Sequence, residues 1–116
     1  MPATTTIYRS PRIVSVTKIW HHALHNAFTD LLRHDGRWWS TLREAENHGP
    51  SLGTIRIIVS DDGTNWASVT KLAEPGIDLR DPKLSRMPDG RLMLLTSGSL
   101  YRDGVYQTRT PRASFS

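Results

Sequence analysis

The sequence predicts an all-β fold assembled from antiparallel hairpins. Stretches rich in β-branched and aromatic residues are separated by Asp-Gly dipeptides, and the first three dipeptides are 27 residues apart. Asp-Gly suits a tight hairpin because these residues tolerate the positive φ that such turns require. The regular spacing fits two strands and a return connection per repeat, so the expected topology is a meander of hairpins. The dipeptides are Asp35-Gly36, Asp62-Gly63, Asp89-Gly90 and Asp103-Gly104.

The first two elements differ in how clearly they are specified. Residues 12–20 are β-branched through their middle, which disfavours a helix. In residues 20–34 the apolar side chains also fall at the spacing of an amphipathic helix, at Leu24, Phe28, Leu31 and Leu32. We predict a strand over 27–34 because this segment leads directly into an Asp-Gly turn. A strand places Phe28, Asp30 and Leu32 on one face.

The later strands adjoin the remaining turns. Ile55, Ile57 and Val59 alternate with Thr54, Arg56 and Ile58, the period of a strand with one buried face. The last residues, 112–116, are interpreted as the start of a further strand. The stretches of strand composition that flank the turns are 37–43, 54–60 and 92–96.

Composition excludes several classes of protein. The chain has 116 residues, enough for one domain at most, and no cysteine, which excludes disulfides and cysteine-ligated metal sites. No apolar run approaches the ~20 residues that span a bilayer or forms a signal-peptide core, so a cytoplasmic location is the default expectation. The net charge is +4, but basic residues are scattered singly among acidic ones, so we expect neither nucleic-acid nor membrane binding.

A short motif surrounds the second turn. In Ser60-Asp61-Asp62-Gly63-Thr64-Asn65-Trp66 the Asp62 carboxylate and the Ser60 hydroxyl can bond the turn backbone, Gly63 supplies positive φ, and Trp66 folds back as an apolar plug. The motif resembles the Asp-box turn, or BNR repeat, of sialidases and related β-propeller glycosidases. It is one residue shorter between Gly63 and Trp66 than the commonest form. In that superfamily the Asp box is structural and lies away from the substrate.

The order of segments is also similar to the sialidase superfamily over roughly residues 13–116. Strand 27–31, the Gly-led stretch 36–45, a loop with His48 and the turn 60–66 follow one another, and residues 78–84 match the start of the next blade. A propeller contains ~4–8 four-stranded blades. The resemblance therefore implies about two blades of a partial β-propeller, with residues 1–12 as an N-terminal extension. It implies the N-terminal part of a glycoside hydrolase that is inactive as this fragment.

Departures from the sialidase pattern bear on the substrate. Sialidases clamp a carboxylate with an arginine triad, since a planar guanidinium binds a carboxylate bidentately. Thr29 and Asp30 stand at the Arg-Ile-Pro position, so the first clamp residue is missing. A neutral or differently charged sugar is therefore expected. Arg80-Asp81-Pro82 also resembles the Arg-Asp-Pro motif of five-bladed fructan-cleaving glycosidases, in which the Asp contacts sugar hydroxyls.

The resemblance implies a saccharide as partner, no cofactor, and an alternative function as a non-catalytic carbohydrate-binding propeller. Because Arg43 and Glu44 are adjacent in a strand, they face opposite sides and only one can reach a substrate. His21, His22 and His25 form no His-Glu-x-x-His string, so no metal site is predicted. The catalytic residues are not assigned. The candidate substrate-binding residues are Asp30, Arg43, Glu44, His48, Arg80 and Asp81, and those of the structural turn are Ser60, Asp62, Gly63 and Trp66.

Overall fold

The protein is all-β in a computed structural model that describes residues 3–116. Those residues form seven strands and no helix, so none of them belongs to a helix that is long and apolar enough to cross a membrane. The strands are β1 His25–His34, β2 Arg37–Ala45, β3 Thr54–Ser60, β4 Ala67–Leu72, β5 Asp78–Arg86, β6 Leu92–Arg102 and β7 Val105–Phe115.

The strands form two antiparallel sheets, ordered β1-β2-β3-β4 and β5-β6-β7. All four Asp-Gly dipeptides lie between consecutive paired strands, which confirms the predicted meander of hairpins. Asp35 and Gly36 have φ of 49° and 71°, and Asp103 and Gly104 have 51° and 74°. Two consecutive positive φ values are typical of the two-residue turn whose twist matches the flanking strands.

The core lies between the two sheets. Strand β5 packs across β1, β2 and β3, and Trp39 and Ile57 of the first sheet join the buried residues at the interface. Burying a Leu or Ile side chain contributes ~1.5–3 kcal/mol, so this apolar layer is what holds the sheets together. The buried core residues are Ile55, Leu79, Leu84 and Leu94, of which Ile55 is fully enclosed.

Several details differ from the sequence predictions. Residues 3–22 have no regular secondary structure, and the sheets begin only at His25. Strand β3 is covered on both faces rather than one, since Ile58 is 0% exposed. Residues 112–115 are the end of β7 and not the start of another strand. The strand prediction for 27–34 is confirmed, with β1 starting two residues earlier.

The first strands of the two sheets carry the same irregularity. In β1, Phe28 and Thr29 together lie opposite the single residue Leu42; in β5, Asp81 and Pro82 share one opposite residue in the same way. Such a bulge bends the strand and redirects its side chains. Phe28 therefore leaves the regular alternation that was expected to put it on one face with Asp30.

The two bulges share a positive φ at their first residue and are separated by the length of one repeat. Phe28 has φ 58° and Asp81 has φ 49°, and the two residues are 53 positions apart. Left-handed φ is uncommon for residues other than glycine, most of all for a bulky side chain. The two sheets therefore repeat one structural unit, and the repeat places a distorted segment at the same level of each first strand.

Candidate functional site

A buried ionic cluster joins the two sheets near these bulges. Asp78, at the start of β5, accepts hydrogen bonds at Oδ1 from Arg43 Nε (3.1 Å) and Nη2 (2.8 Å), and at Oδ2 from Arg80 Nε (2.7 Å). The side chains of Asp78 and Arg43 are 0% exposed and that of Arg80 is 10% exposed. The cluster carries two positive charges and one negative charge, so its stability depends on further acceptors.

Those acceptors come from the loop between β2 and β3, residues 46–53. Arg43 Nη1 donates to the Asn47 carbonyl at 3.1 Å, and its Nη2 donates to Ser51 Oγ at 3.1 Å. Arg80 Nη2 donates to the carbonyls of His48 (2.6 Å) and Gly49 (2.7 Å). The negative ends of these dipoles compensate the excess positive charge, and the two arginines hold the loop in one conformation.

Gly53 closes the loop over the cluster. Its backbone N–H donates to Asp78 Oδ1 at 2.9 Å. A Cβ on this residue would collide with Arg43 Nε and lie 2.6 Å from Asp78 Oδ1. The position therefore requires glycine because of the close approach of two side chains.

Arg43 and Arg80 differ in whether an N–H donor remains available to a ligand. Arg43 is fully enclosed and has no surface for a ligand. Arg80 donates through its Nε and through both N–H groups of Nη2. Its Nη1 has no acceptor among residues 3–116 and is not among the buried unpaired atoms. Arg80 thus keeps a donor group that a ligand can reach.

The loop presents His48 beside the first bulge. The His48 ring lies 5.4 Å from Phe28 and 5.5 Å from His25 between centroids, and His25 lies 6.4 Å from Phe28. His48 is exposed, whereas Phe28 and His25 are partly buried. The Arg80 guanidinium adjoins this aromatic cluster through its hydrogen bond to the His48 carbonyl, and we call His25, Phe28, His48 and Arg80 the rim.

Asp81 follows Arg80 directly in β5 and is exposed. We assign it to the rim because its bulge in β5 is the counterpart of the Phe28 bulge in β1. Asp30 is just beyond the first bulge, where its Oδ2 accepts a hydrogen bond from the backbone N–H of Leu84 at 2.9 Å. Asp30 therefore ties β1 to β5 and fixes the spacing of the two bulged strands.

Glu44 lies on the other side of the first sheet. Its Oε1 accepts from Arg56 Nε at 2.9 Å and lies 4.0 Å from Lys71 Nζ, and its Oε2 accepts from Trp20 Nε1 at 3.2 Å. The side chain is 3% exposed. As alternation requires, Arg43 and Glu44 point in opposite directions, and the direction of Glu44 is away from the rim.

The Asp62 turn lies at the end of the sheets opposite the rim. Ser60 Oγ accepts from Gly63 N at 2.8 Å, and Asp62 Oδ1 accepts from the backbone N–H groups of Thr64 and Asn65, both at 2.8 Å. These donors hold the pKa of the Asp62 carboxyl well below its usual range.

The remaining features of that turn follow the sequence prediction. Trp66 Nε1 donates to the Gly63 carbonyl at 3.1 Å, so the indole folds back over the turn. Gly63 has φ 79°. The turn links β3 to β4 and contacts no residue of the rim through these bonds.

Of the six predicted binding residues, His48 and Arg80 are joined by the bond from Arg80 Nη2 to the His48 carbonyl, and Asp81 follows Arg80 in β5 without a contact to either side chain among the bonds described. Arg43 is bonded to the loop that carries His48, and Asp30 ties β1 to β5. Glu44 lies on the other side of the first sheet. Sequence reasoning missed Asp78 and Phe28. Asp78 carries a readable signal, because residues two apart in a strand share a face and Asp78 is two residues before Arg80. The importance of Phe28 depends on a bulge that has no sequence pattern.

Comparison with protein-family models, curated proteins and solved structures returns no match. Among residues 3–116 no group of three or more His, Asp or Glu side chains is placed to hold a metal ion. The geometry of the rim and the resemblance described above are therefore the observations that bear on function.

Proposed function

We propose that the two sheets are consecutive blades of a sialidase-type β-propeller and that the rim forms one wall of a saccharide pocket in a glycoside hydrolase. Supporting the first part, each sheet is an antiparallel meander, and the first sheet has the four strands of a propeller blade. The repeat of 53 residues between the bulges is close to the length of propeller repeats, ~40–50 residues.

The arrangement of the first strands also supports a propeller. In a propeller the blades are repeated around a central channel, so corresponding strands of successive blades are neighbours. Strands β1 and β5 are neighbours here, joined by the bond from Leu84 N to Asp30. The outer edge of β7 has no paired strand among residues 3–116. An unpaired edge of this length is a template for a further strand.

One observation carries the second part of the proposal: two matched bulges hold Phe28 and Asp81 in left-handed conformations, and Phe28 lies beside a loop to which two buried arginines are bonded. Strained backbone conformations persist where the surrounding structure enforces them, and they concentrate at functional sites. At the rim, the Asp81 carboxylate can accept from sugar hydroxyls, and Arg80 Nη1 can donate to sugar oxygens. His48 can do either, depending on its tautomer.

A second candidate is a non-catalytic carbohydrate-binding propeller, and the distribution of carboxylates favours it. Glycoside hydrolysis ordinarily uses two carboxyl groups that flank the scissile bond. Among residues 3–116, the rim offers Asp81, since Asp30 and Asp78 are engaged in bonds between the sheets, and Glu44 and Glu46 line a cavity on the other side of the first sheet. Turnover of an aryl glycoside by a full-length parent propeller that contains the remaining blades separates the two candidates, because only the hydrolase releases the aryl alcohol.

The test of saccharide binding is isothermal titration calorimetry of the 116-residue chain with galactose, fructose and N-acetylneuraminic acid. Asp81→Asn should raise the Kd of the bound sugar about tenfold or more, because hydrogen bonds to a charged group contribute ~1.5–3 kcal/mol. The matched control is Asp103→Asn, since Asp103 is also exposed and has φ 51° but lies in the β6–β7 turn. Absence of binding by the wild-type chain, or equal effects of the two substitutions, contradicts the proposal.

A further inference from the structure

The strained residue Phe28 has no explanation in the fold alone. Its φ of 58° is a left-handed value that is strained for a non-glycine residue, whereas glycine would adopt it without a steric penalty. Phe28 is not part of the hydrophobic core between the sheets. The chain therefore keeps a large aromatic side chain at a position where the backbone favours glycine.

The bulge determines where this aromatic ring lies. It brings Phe28 within 5.4 Å of the His48 ring, and the His48 backbone is in turn fixed by two short bonds of the loop with Arg80. Phe28 remains partly exposed in this position. The ring is thus a partly exposed apolar surface beside His48, whose carbonyl Arg80 binds, and it lies in the β1 bulge that corresponds to the Asp81 bulge in β5.

We infer that Phe28 is a ligand-binding residue whose ring stacks against the apolar face of a pyranose or furanose ring, while Asp81 and Arg80 bond the hydroxyls. The inference rests on the proposed function and adds to it the residue that recognises the ring face. A sugar ring presents C–H groups on one face and hydroxyls around its edge, which matches an aromatic surface bordered by polar groups.

Three variants test the inference by calorimetry with the sugar that the wild-type chain binds. Phe28→Gly removes the ring and relieves the backbone strain, so it should fold and raise the Kd about threefold to tenfold. Phe28→Leu keeps apolar bulk against His25 and His48 without a flat ring, and it should raise the Kd by a similar factor. Phe28→Tyr keeps the ring and should bind with nearly wild-type affinity.

Thermal unfolding of each variant separates binding from folding. If Phe28 only supports the two histidines, Phe28→Gly loses stability and the folded Phe28→Leu binds as the wild type does; that result overturns the inference and leaves the proposed function intact. If the wild-type chain binds none of the sugars, the inference and the proposed function both fall. A raised Kd in Phe28→Leu, with its melting temperature unchanged, is the supporting outcome.

Discussion

Arg43 and Asp78 form an ion pair in which neither side chain is exposed, although one belongs to the first sheet and the other to the second. The pair connects the sheets at the end where the β2–β3 loop returns. Because Arg80 binds the second oxygen of the same carboxylate, a single side chain organises both the interface between the sheets and the loop that carries His48. Asp78 therefore differs from Asp61 and Asp89, each of which forms an ion pair with one arginine at the surface.

The first prediction concerns the stability that Asp78 provides. Asp78→Asn leaves two guanidinium groups without their carboxylate, and breaking a buried pair costs ~3–5 kcal/mol, so the free energy of unfolding should fall by about that amount. Urea denaturation measures it. Asp61→Asn is the control, because Asp61 pairs with Arg37 at the surface and should cost less than ~1 kcal/mol. Equal losses in the two variants would show that the buried cluster has no special role.

The second prediction concerns the glycine that closes the loop. Gly53→Ala places a methyl group against Arg43 and Asp78 and should reduce stability by ~1–3 kcal/mol, as overpacking of a filled site does. Gly49→Ala is the control in the same loop, because its Cβ would meet only Asn47 Oδ1, at 3.4 Å. The account is contradicted if Gly53→Ala is as stable as Gly49→Ala in thermal unfolding.

The third prediction concerns acid. Backbone and side-chain donors from Asn65, followed by Thr64 and Ser60, lower the pKa of Asp62 in the folded protein. The ionised form therefore contributes stability that is fully present above the unfolded pKa of ~4 and is lost as pH falls towards the lower folded pKa. Stability measured by urea denaturation should decline as pH falls below ~4, and Asp62→Asn should reduce that slope. An unchanged slope in the variant would contradict the assignment.

The fourth prediction separates Glu44 from the rim. Glu44→Gln weakens the buried bonds to Arg56 and Trp20 and should lower the free energy of unfolding by ~1–3 kcal/mol. Since Glu44 faces away from the rim, the Kd of a bound sugar should stay within about twofold of the wild-type value. Urea denaturation followed by tryptophan fluorescence measures the free energy of unfolding, and calorimetry measures the Kd of the sugar. A large loss of sugar affinity in a folded Glu44→Gln variant would place the binding site on the other face.

Features that depend on residues close together in the sequence can be predicted from it, whereas features that depend on contacts between distant segments cannot. The turns at Asp35-Gly36 and Asp103-Gly104 are predictable because their conformation depends on the two residues themselves. The opposite orientation of Arg43 and Glu44 is predictable from strand alternation. Which of them faces the rim is not, because that depends on the side against which the second sheet packs.

The bulges illustrate the same limit. A bulge sets two residues opposite one in a partner strand, so neither Ala27-Phe28-Thr29 nor Arg80-Asp81-Pro82 contains the information alone. The buried charge cluster can be predicted in part. The Asp78-Leu79-Arg80 spacing puts both charges on one face of the strand, but it does not reveal Arg43 as their partner. Pairing across sheets is a tertiary property.

The most direct measurement of the rim as a saccharide site is a titration of the ¹⁵N-labelled chain with sugar, followed by two-dimensional NMR. The account predicts that the amide signals of Phe28, His48, Arg80 and Asp81 shift together along one saturating curve. The signals of the Asp62 turn and of Glu44 should stay in place. Shifts confined to the Glu44 face or to the Asp62 turn, or no shift at any sugar concentration up to saturation of the solution, would contradict it.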